Sequence, residues 1–450
     1  MTSQAFARHA ARAVPRYTSY PTAPHFKPGF PGATYRSWLE RSDPSVPISL
    51  YLHVPFCQQM CWYCGCNMKL AARYAPVAAY VTALKKEIAL VADALPARMK
   101  VGHLAWGGGT PTALEPADLA SVMELLRARF DIGPDAEVAI ESDPRTLSHE
   151  MARDIGRLGF TRASFGVQEF DPKVQQAINR IQPPETVARA GQWLREAGVR
   201  AINFDLIYGL PHQTTESLVR TAELSHGMGA DRIALFGYAH VPWMAKNQRM
   251  IAEESLPTAA ARAEQAEAAA ATLRGLGYER IGLDHFARPD DALAVAQREG
   301  RLRRNFQGYT TDTAETLIGF GATSIGRSPW GFVQNISETG AWARAVHDGV
   351  LPVARGLVFA GEDRLRGHVI EQLMCNFTVD LDEAAALHGG APGWYEAALP
   401  ALAALEQDGL VQRQGARLCI TEAGRGLSRV VAAVFDTYLA QSEARHSVAV

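Results

Sequence analysis

The chain has 450 residues, 47% of them hydrophobic and 20% charged, and a formal net charge of −2. That length calls for two or three domains, and so balanced a charge gives no global field favouring nucleic acid, so an anionic substrate would need local Arg and Lys. Six cysteines in such a chain do not make a disulfide framework; in a reducing compartment, clustered thiols more often serve as metal ligands or redox groups. No uninterrupted apolar run approaches the roughly 20 residues that span a bilayer. The N-terminal "MTSQAFARHAARAVPRYTSY" lacks the apolar core of a signal peptide. The reading is a cytoplasmic protein with no membrane span.

From about residue 48 to 245, short apolar runs alternate with helical patterns. "SLYLHV" (49–54) reads as a strand. The next segment carries Val77, Val81, Leu84, Ile88, Val91 and Leu95 at spacings of four and three, which is one apolar helix face. "HLAW" (103–106) is the second strand, followed by a helix with Pro116 in its first turn. "EVAIES" (137–142), "RASFGV" (162–167), "AINFDLIYG" (201–209) and "RIALFGY" (232–238) continue the series. Six βα units predict an α/β fold with a parallel sheet. A curved, partial (β/α)6 TIM-like barrel fits better than a flat sheet, because the unusual residues fall at strand C-terminal ends, where parallel barrels build their chemistry. These are the glycines after the second strand, Glu141, Gln168, Asp205 and Tyr238-Ala239-His240.

The Ala-rich segment 257–277 reads as a packing helix ended by Gly. From about 360 the pattern changes: a helix around "HVIEQLMCNF", another at "YEAALPALAALEQDGLV", strands at "LVQRQ" and "ARLCIT", and a final helix "GRGLSRVVAAVFDTYLA". This mostly helical tail is winged-helix-like, but it has no dense basic stripe to hold DNA. The division along the chain is an N-terminal extension (1–45), the barrel and its extension (46–350) and a C-terminal helical domain (351–450).

The stretch "HVPFCQQMCWYCGCN" gathers Cys57, Cys61, Cys64 and Cys66. The first three form C-x3-C-x2-C. Three thiolates on one loop can each ligate one iron of a 4Fe–4S cube and leave the fourth iron open. A structural zinc usually wants a second pair of ligands, and Cys375 and Cys419 are isolated; a structural knuckle and unrelated free thiols are the plainer alternatives. "GGGTPT" (107–112) at the rim lets backbone approach a ligand closely, although a simple turn would use the same residues. Glu141 can be a site carboxylate or a helix cap. Asp205, an acid in an apolar strand, needs a partner if buried.

The cysteine spacing resembles the signature of the radical S-adenosylmethionine (SAM) superfamily, with Tyr63 at its usual aromatic position. Longer strings narrow the resemblance. "RYTSYPTA" (16–23), "YLHVPFC", "CGCN", "GGGTPT", "GVQ" with "INRIQ", "NFDLIYGLP", "RRNFQGYTT" and "CNF" are similar to those of the oxygen-independent coproporphyrinogen III oxidase family, from about residue 14 to "FDTYL". The resemblance implies a radical SAM barrel, one 4Fe–4S cluster held by Cys57, Cys61 and Cys64, and two SAM molecules. The first SAM would use Tyr51, Gly108, Glu141 and Ile325. The second would use Tyr63, Gly109, Thr110, Gln168, Arg180, Asp205 and Ala239. Tyr63 stands where some relatives have Phe. The implied reaction turns two propionates of coproporphyrinogen III into vinyl groups, with loss of CO2, through a 5′-deoxyadenosyl radical.

Cys66 is expected to stay off the cluster and act in catalysis, with a buried inert thiol as the alternative. Substrate propionates need cations, and Arg suits carboxylates through its planar fork; Arg16, Arg303 and Arg304 flank the specific strings and are the candidates, with ordinary surface charge as the alternative. An electron donor and an acceptor are required, but the sequence identifies neither. The expected state is a monomer. Two rival readings stand beside this one: another tetrapyrrole-modifying radical SAM enzyme, and a haem chaperone. Chaperone relatives typically carry an aromatic residue where Cys66 stands here.

Overall fold

A computed structural model of the chain describes residues 8–439. The first residues of the N-terminal extension and the end of the expected last helix, at Ala440, lie outside the described residues. The chain divides into two compact units: Lys27–Leu276 with Ala314–Leu357, and Met1–Phe26 with Gly277–Thr313 and Val358–Val450. Boundaries drawn at 45/46 and 350/351 cut across these units. Residues 27–45 belong with the barrel and 277–313 with the tail, an exchange that local composition does not reveal.

The barrel unit holds the six expected strands, β1 (Ile48–Val54), β2 (Lys100–Gly108), β3 (Asp131–Ser142), β4 (Arg162–Gln168), β5 (Ala201–Tyr208) and β6 (Arg232–Gly237). They lie in chain order in one sheet and every adjacent pair is parallel, the arrangement of a partial (β/α)6 barrel. Six of the seven residues of β1 are buried, as expected of a parallel strand covered on both faces. Five further strands extend the β1 edge: β7 (Leu317–Phe320), β8 (Ile325–Ser328), β9 (Gly331–Asn335), β10 (Val353–Val358) and, outermost, the two-residue strand Lys27–Pro28. β7 adds in parallel to β1, while β8 and β9 turn back antiparallel.

The crossovers are α1 (Ala75–Ala94), α2 (Pro116–Arg129), α3 (His149–Arg157), α4 (Pro184–Glu196), α5 (Thr215–Gly227) and α6 (Ala259–Gly275). Pro116 takes the first helical position of α2, where its missing N–H is no loss. Ser148 caps α3 by accepting from Met151 N, and Thr214 with Ser217 forms a capping box on α5. The register then fixes the rim. Val54 pairs with Gly108, Glu141 with Ser164, and Gly166 with Asp205, so the strand C-termini that carry the predicted residues share one end of the sheet.

In the second unit, Val14, Tyr17 and Tyr20 join a core with Val369, Leu373, Leu402, Leu418 and Phe435. Tyr17 Oη donates to Asp436 at 3.0 Å, and Tyr20 Oη lies 3.1 Å from Thr437 Oγ1. The strings "RYTSYPTA" and "FDTYL" thus serve one another. The helix Asp363–Cys375 and a three-stranded antiparallel sheet (Thr378–Asp380, Val411–Gln414, Arg417–Ile420) give the winged-helix-like layout. The single long last helix is not formed. Its segment splits into a 3-10 turn (Glu422–Leu427), the short helix Ser428–Ala432 and a second 3-10 turn (Ala433–Phe435). Gly424 sits against Leu410 O, where a Cβ would fall 2.3 Å from that oxygen, and buried Arg429 donates to Pro15 O. Tertiary contacts override the helical pattern here.

On α1, Glu87 breaks the otherwise apolar buried face. It accepts from Gly321 N at 2.7 Å and Asn335 Nδ2 at 2.6 Å, tying the helix to the loop after β7 and to β9. Burial raises its carboxyl to about 7, against the lowering effect of those two donors. A carboxyl raised in the fold favours the native state fully only below its unfolded value, and loses that advantage as pH rises through about 7. The Glu87→Gln variant should therefore gain roughly 2–3 kcal/mol relative to wild type between about pH 5 and pH 8.5, on top of any constant offset from its amide. Denaturant unfolding of the apoprotein at the two pH values reads this directly; a pH-independent difference would contradict it.

Candidate active site

The loop between β1 and α1 starts and ends in two tiny parallel strands, Phe56–Cys57 and Lys69–Leu70. It is held from three sides. At its root, Gly109 N donates to Val54 O at 2.9 Å and Thr110 N to Phe56 O at 2.8 Å. From the segment after β4, Asn179 Nδ2 donates to Met60 O at 2.8 Å, and Ile178 O accepts from Trp62 N at 2.9 Å. From the loop after β6, Asn247 Nδ2 lies 3.1 Å from both Cys61 O and Trp62 O and 2.8 Å from Cys64 O. Its neighbour Gln248 donates to Tyr63 O at 2.8 Å and Ala239 O at 3.2 Å. Tyr63 and Trp62 pack against Val174, Ile178, Leu210, Tyr238 and Ile251.

All six cysteines are free. Cys57 Sγ sits 3.4 Å from Thr110 Oγ1. Cys61 Sγ accepts from Arg180 Nη1 at 3.3 Å and Arg145 Nη2 at 3.4 Å. Cys64 Sγ accepts from Cys66 N at 3.4 Å. Burial pushes Cys57 up to about 11, Thr110 opposes this, and Cys64 and Cys61 add to it, so Cys57 senses the other two cysteines of the motif. Hydrogen bonding from Cys66 brings Cys64 down to about 7 against burial, while the same contact drives Cys66 up.

Arg145 and Arg180 share one carboxylate. Asp143 accepts from Arg145 Nη2 at 2.6 Å and Nε at 3.0 Å, and from Arg180 Nη1 at 3.4 Å. Burial alone would raise Asp143, but Arg180 and Arg145 outweigh it and hold the carboxyl below its usual range. Two guanidinium groups against one carboxylate leave one positive charge in excess, directed at Cys61 Sγ. Arg180 also donates through Nε to Gly166 O at 3.0 Å.

The glycine run meets the protein's own groups. A Cβ on Gly107 would fall 2.8 Å from Glu141 Oε1, one on Gly108 2.7 Å from the His53 ring, and one on Gly109 2.7 Å from Phe56 O. Gly108 has φ +115°, and its N–H donates to Glu141 Oε2 at 3.1 Å. Burial, then the Asp205 charge, raises Glu141 to about 7, against the Gly108 N–H. Asp205 is half-buried and accepts from Asn203 Nδ2 at 2.8 Å. Tyr51 Oη lies 3.0 Å from His53 Nδ1, while His53 Nε2 faces Asn67 O at 3.3 Å. Nε2 therefore carries the proton and Nδ1 accepts from Tyr51. Ile325 lies on β8 opposite Gln334.

Gln168 ends β4 at a register shift, with φ +68°. Among the described residues its buried Oε1 has no hydrogen-bond partner, and neither has the buried Nη1 of Arg145. An orphan acceptor and an orphan cationic donor suit a ligand carrying both amino and carboxylate groups, as SAM does. Among the described residues no group of three or more His, Cys, Asp or Glu converges on a single metal ion. A 4Fe–4S cube asks for something different, since each cysteine takes its own iron, and three free thiols on one loop beside a surplus cation fit it.

Sequence reading missed His53, Asp143, Arg145, Asn247 and Gln248. "SDPR" follows directly on Glu141 and is the one local signal that was available; Asn247 and Gln248 sit in a loop with no pattern of their own. The three substrate candidates belong to the other unit. Arg303 Nε pairs with Glu371 at 3.0 Å. Arg304 is buried with its guanidinium 4.4 Å from the Tyr309 ring. Arg16, with Arg304, adds to the field that holds Asp284 at about 2, where His285 is the strongest of the lowering influences that overcome burial.

Residues 51–225 match the Radical SAM superfamily and residues 359–427 the HemN C-terminal domain, so strand order, cysteine loop and glycine rim together define a radical SAM protein with a 4Fe–4S cluster and SAM as its cofactors. A protein of Bradyrhizobium diazoefficiens named oxygen-independent coproporphyrinogen III oxidase is 49% identical over 437 residues, 97% of each chain. One of the same name from Synechocystis is 39% identical over 432 residues, 95% of this chain and 93% of that one. The solved structure of coproporphyrinogen III oxidase (HemN) from Escherichia coli, titled a radical SAM enzyme, superposes with a TM-score of 0.91 at 38% identity, covering 95% of this chain and all of that one. The chain belongs to the oxygen-independent coproporphyrinogen III oxidase family.

Asn247 joins three main-chain carbonyls of the cysteine loop. Asn247→Ala should leave the fold intact by circular dichroism, while the reconstituted cluster is lost to a chelator about tenfold faster, the effect of roughly one net hydrogen bond. Unchanged loss kinetics would show that the clamp does not hold the loop.

Proposed function

We propose that this chain carries out the oxygen-independent oxidative decarboxylation of coproporphyrinogen III to protoporphyrinogen IX in haem biosynthesis. The observation that carries the reading is the three-cysteine loop with its surplus cation, set on the same rim as Gly108, Glu141, Gln168 and Asp205, within a chain that matches named oxidases over nearly its whole length. For each propionate the β-carbon loses a hydrogen atom, the substrate radical loses CO2 and one electron, and a vinyl group remains. Two propionates react.

With both cofactors bound, reductive cleavage of SAM at the cluster supplies the 5′-deoxyadenosyl radical that takes this hydrogen atom. The protein's part is positional. Cys57, Cys61 and Cys64 hold the cluster, and Cys66 stays off it. Tyr51, Gly108, Glu141 and Ile325 form the first SAM site. Tyr63, Gly109, Thr110, Gln168, Arg180, Asp205 and Ala239 form the second, giving two SAM molecules per chain. The orphan Oε1 of Gln168 supports the second site. Arg180, already engaged by Gly166 O, Asp143 and Cys61, acts there with part of its donor set committed. Arg16, Arg303 and Arg304 remain the candidates for propionate contacts, with Arg303 already paired to Glu371. The protein works as a cytoplasmic monomer; among the described residues no helix is long and apolar enough to cross a membrane. The electron donor and acceptor are separate molecules.

Anaerobic incubation of the reconstituted protein with SAM, a reductant and coproporphyrinogen III tests the reading. It should yield two CO2 per protoporphyrinogen IX; SAM cleavage without either product would reject it.

The thiols separate by substitution. Serine at Cys57, Cys61 or Cys64 should abolish most cluster formation and turnover. Cys66→Ser should still assemble an oxygen-sensitive 4Fe–4S cluster but lose most decarboxylation. Normal turnover would make Cys66 an inert thiol, and failure to form any cluster in a folded protein would make it a ligand.

Arg180→Ala should lower equilibrium SAM binding from two per chain toward one and reduce product formation more than cluster content. Unchanged two-site binding with unchanged turnover would remove Arg180 from the second site.

A further inference from the structure

The strings "GVQ" and "INRIQ" meet at the end of β4, and their contact involves residues that neither SAM site uses. Glu169 N donates to Val167 O at 2.9 Å across Gln168, whose φ is +68°. A hydrogen bond between residues two apart, around a residue of positive φ, makes a γ-turn that side chains other than glycine rarely adopt, and it is strained. β4 therefore ends on a costly conformation at a residue assigned to the second SAM site. Such conformations persist only where the surroundings fix them, and they gather where a binding group must be held ready.

Buried side chains fix this turn from both sides. On one side Gln182, fully buried, donates through Nε2 to Val167 O and lies 3.3 Å from Gly166 O. Its main chain is locked to Gln175: Gln182 N donates to Gln175 Oε1 at 3.0 Å, and Gln175 Nε2 donates to Gln182 O and to Glu169 O, each at 2.9 Å. On the other side the Glu169 carboxyl group, also fully buried, accepts from Phe170 N at 2.8 Å, Asp171 N at 3.1 Å, Gln213 Nε2 at 2.7 Å and the Thr221 hydroxyl. The Gln168 side chain folds back over Gly166, where a Cβ would fall 2.6 Å from Gln168 Nε2 and 3.3 Å from Arg180 Nη2. Gln168 Oε1 is left buried and, among the described residues, without a partner.

We infer that Gln182 and Glu169 are positioning residues: they hold the strained turn at Gln168 before any ligand arrives, so that its amide oxygen stands as a preformed acceptor for a donor group of the second SAM, and the absence of a side chain at Gly166 leaves that amide its room. The inference rests on the proposed two-SAM reading and adds what sets the affinity of the second site. SAM offers such donors in its ammonium, its adenine amine and its ribose hydroxyls. When a binding conformation is only fractionally populated, apparent affinity falls by that fraction. The effect is on occupancy and not on the chemical step, so excess SAM overcomes it.

The test uses the reconstituted full-length protein, kept anaerobic, as wild type, Gln182→Met and Gly166→Ala. Equilibrium dialysis without reductant counts bound SAM, hydrogen exchange in the peptide covering 166–171 reads the turn, and turnover against SAM concentration separates KM from kcat. The wild-type turn should be protected before SAM is added. Gln182→Met removes the donor at nearly constant length, and exchange in the turn should speed up about tenfold. Affinity at the second site should fall about tenfold and KM for SAM should rise to match, with first-site affinity, cluster content and saturated kcat within about twofold of wild type. Gly166→Ala should weaken the second site similarly with exchange unchanged, because it displaces the ends of side chains and not the turn. If Gln182→Met does not fold, Glu169→Gln, of the same size as the wild-type residue, takes its place in all three measurements. A wild-type turn protected only once SAM binds, or two-site binding in the variants equal to that of wild type, would overturn the inference. So would a fall in saturated kcat and cluster content as large as the fall in affinity, which would make Gln182 a part of the fold alone. A wild type that binds one SAM per chain would fail the proposed second site itself, whereas a two-site wild type with unaffected variants fails only the positioning.

Discussion

Asp143 is one carboxylate between two buried guanidinium groups, and much of the site follows from that imbalance. Removing charge from water is expensive unless it is paired, and here the pairing is incomplete by one positive charge. Arg145 and Arg180 each point a donor at Cys61 Sγ, so the sulfur is the natural place for the compensating negative charge. An anionic cluster ligated there relieves a buried excess that the apoprotein must otherwise carry. Such an imbalance suits the loop to an anionic metal assembly better than to a plain turn.

The remaining geometry brings the loop to that charge. The parallel register sets Glu141, Gln168 and Asp205 at strand ends on one rim. The glycine run then lets β2 pass beneath the loop root, because Phe56, His53 and Glu141 already occupy the space that side chains at 107–109 would need. The run is thus required by the protein's own packing before any ligand is considered. Asn247 and Gln248 close the loop from above through main-chain carbonyls, a contact indifferent to loop side chains and hence compatible with a loop given over to cysteines.

The barrel was legible because parallel strands buried on both faces read as continuous apolar runs, and because Pro116 and the Gly after α6 mark helix ends by simple sterics. The cysteine loop was legible because its spacing is local. What escaped was set by distant partners. Asp143 and Arg145 acquire meaning only when folding brings Arg180 against them, and Asn247 only when its loop crosses the cysteines. The last helix failed for the same reason: buried Arg429 and the close passage of Gly424 impose turns that a helical pattern does not announce. The paired strings "RYTSYPTA" and "FDTYL" marked the family from the sequence, yet their physical reason, Tyr17 and Tyr20 bonded to Asp436 and Thr437, is visible only in three dimensions.

The surplus charge at Cys61 is open to direct measurement. A redox titration of the reconstituted cluster, followed by electron paramagnetic resonance, measures it in wild type and in Arg145→Met, where Asp143 and Arg180 are left as a balanced pair. Loss of one nearby cation disfavours the reduced, more negative cluster, so the midpoint potential should fall by something on the order of 50 mV. An unchanged or higher potential, with cluster content retained, would contradict the assignment of that charge to the cluster.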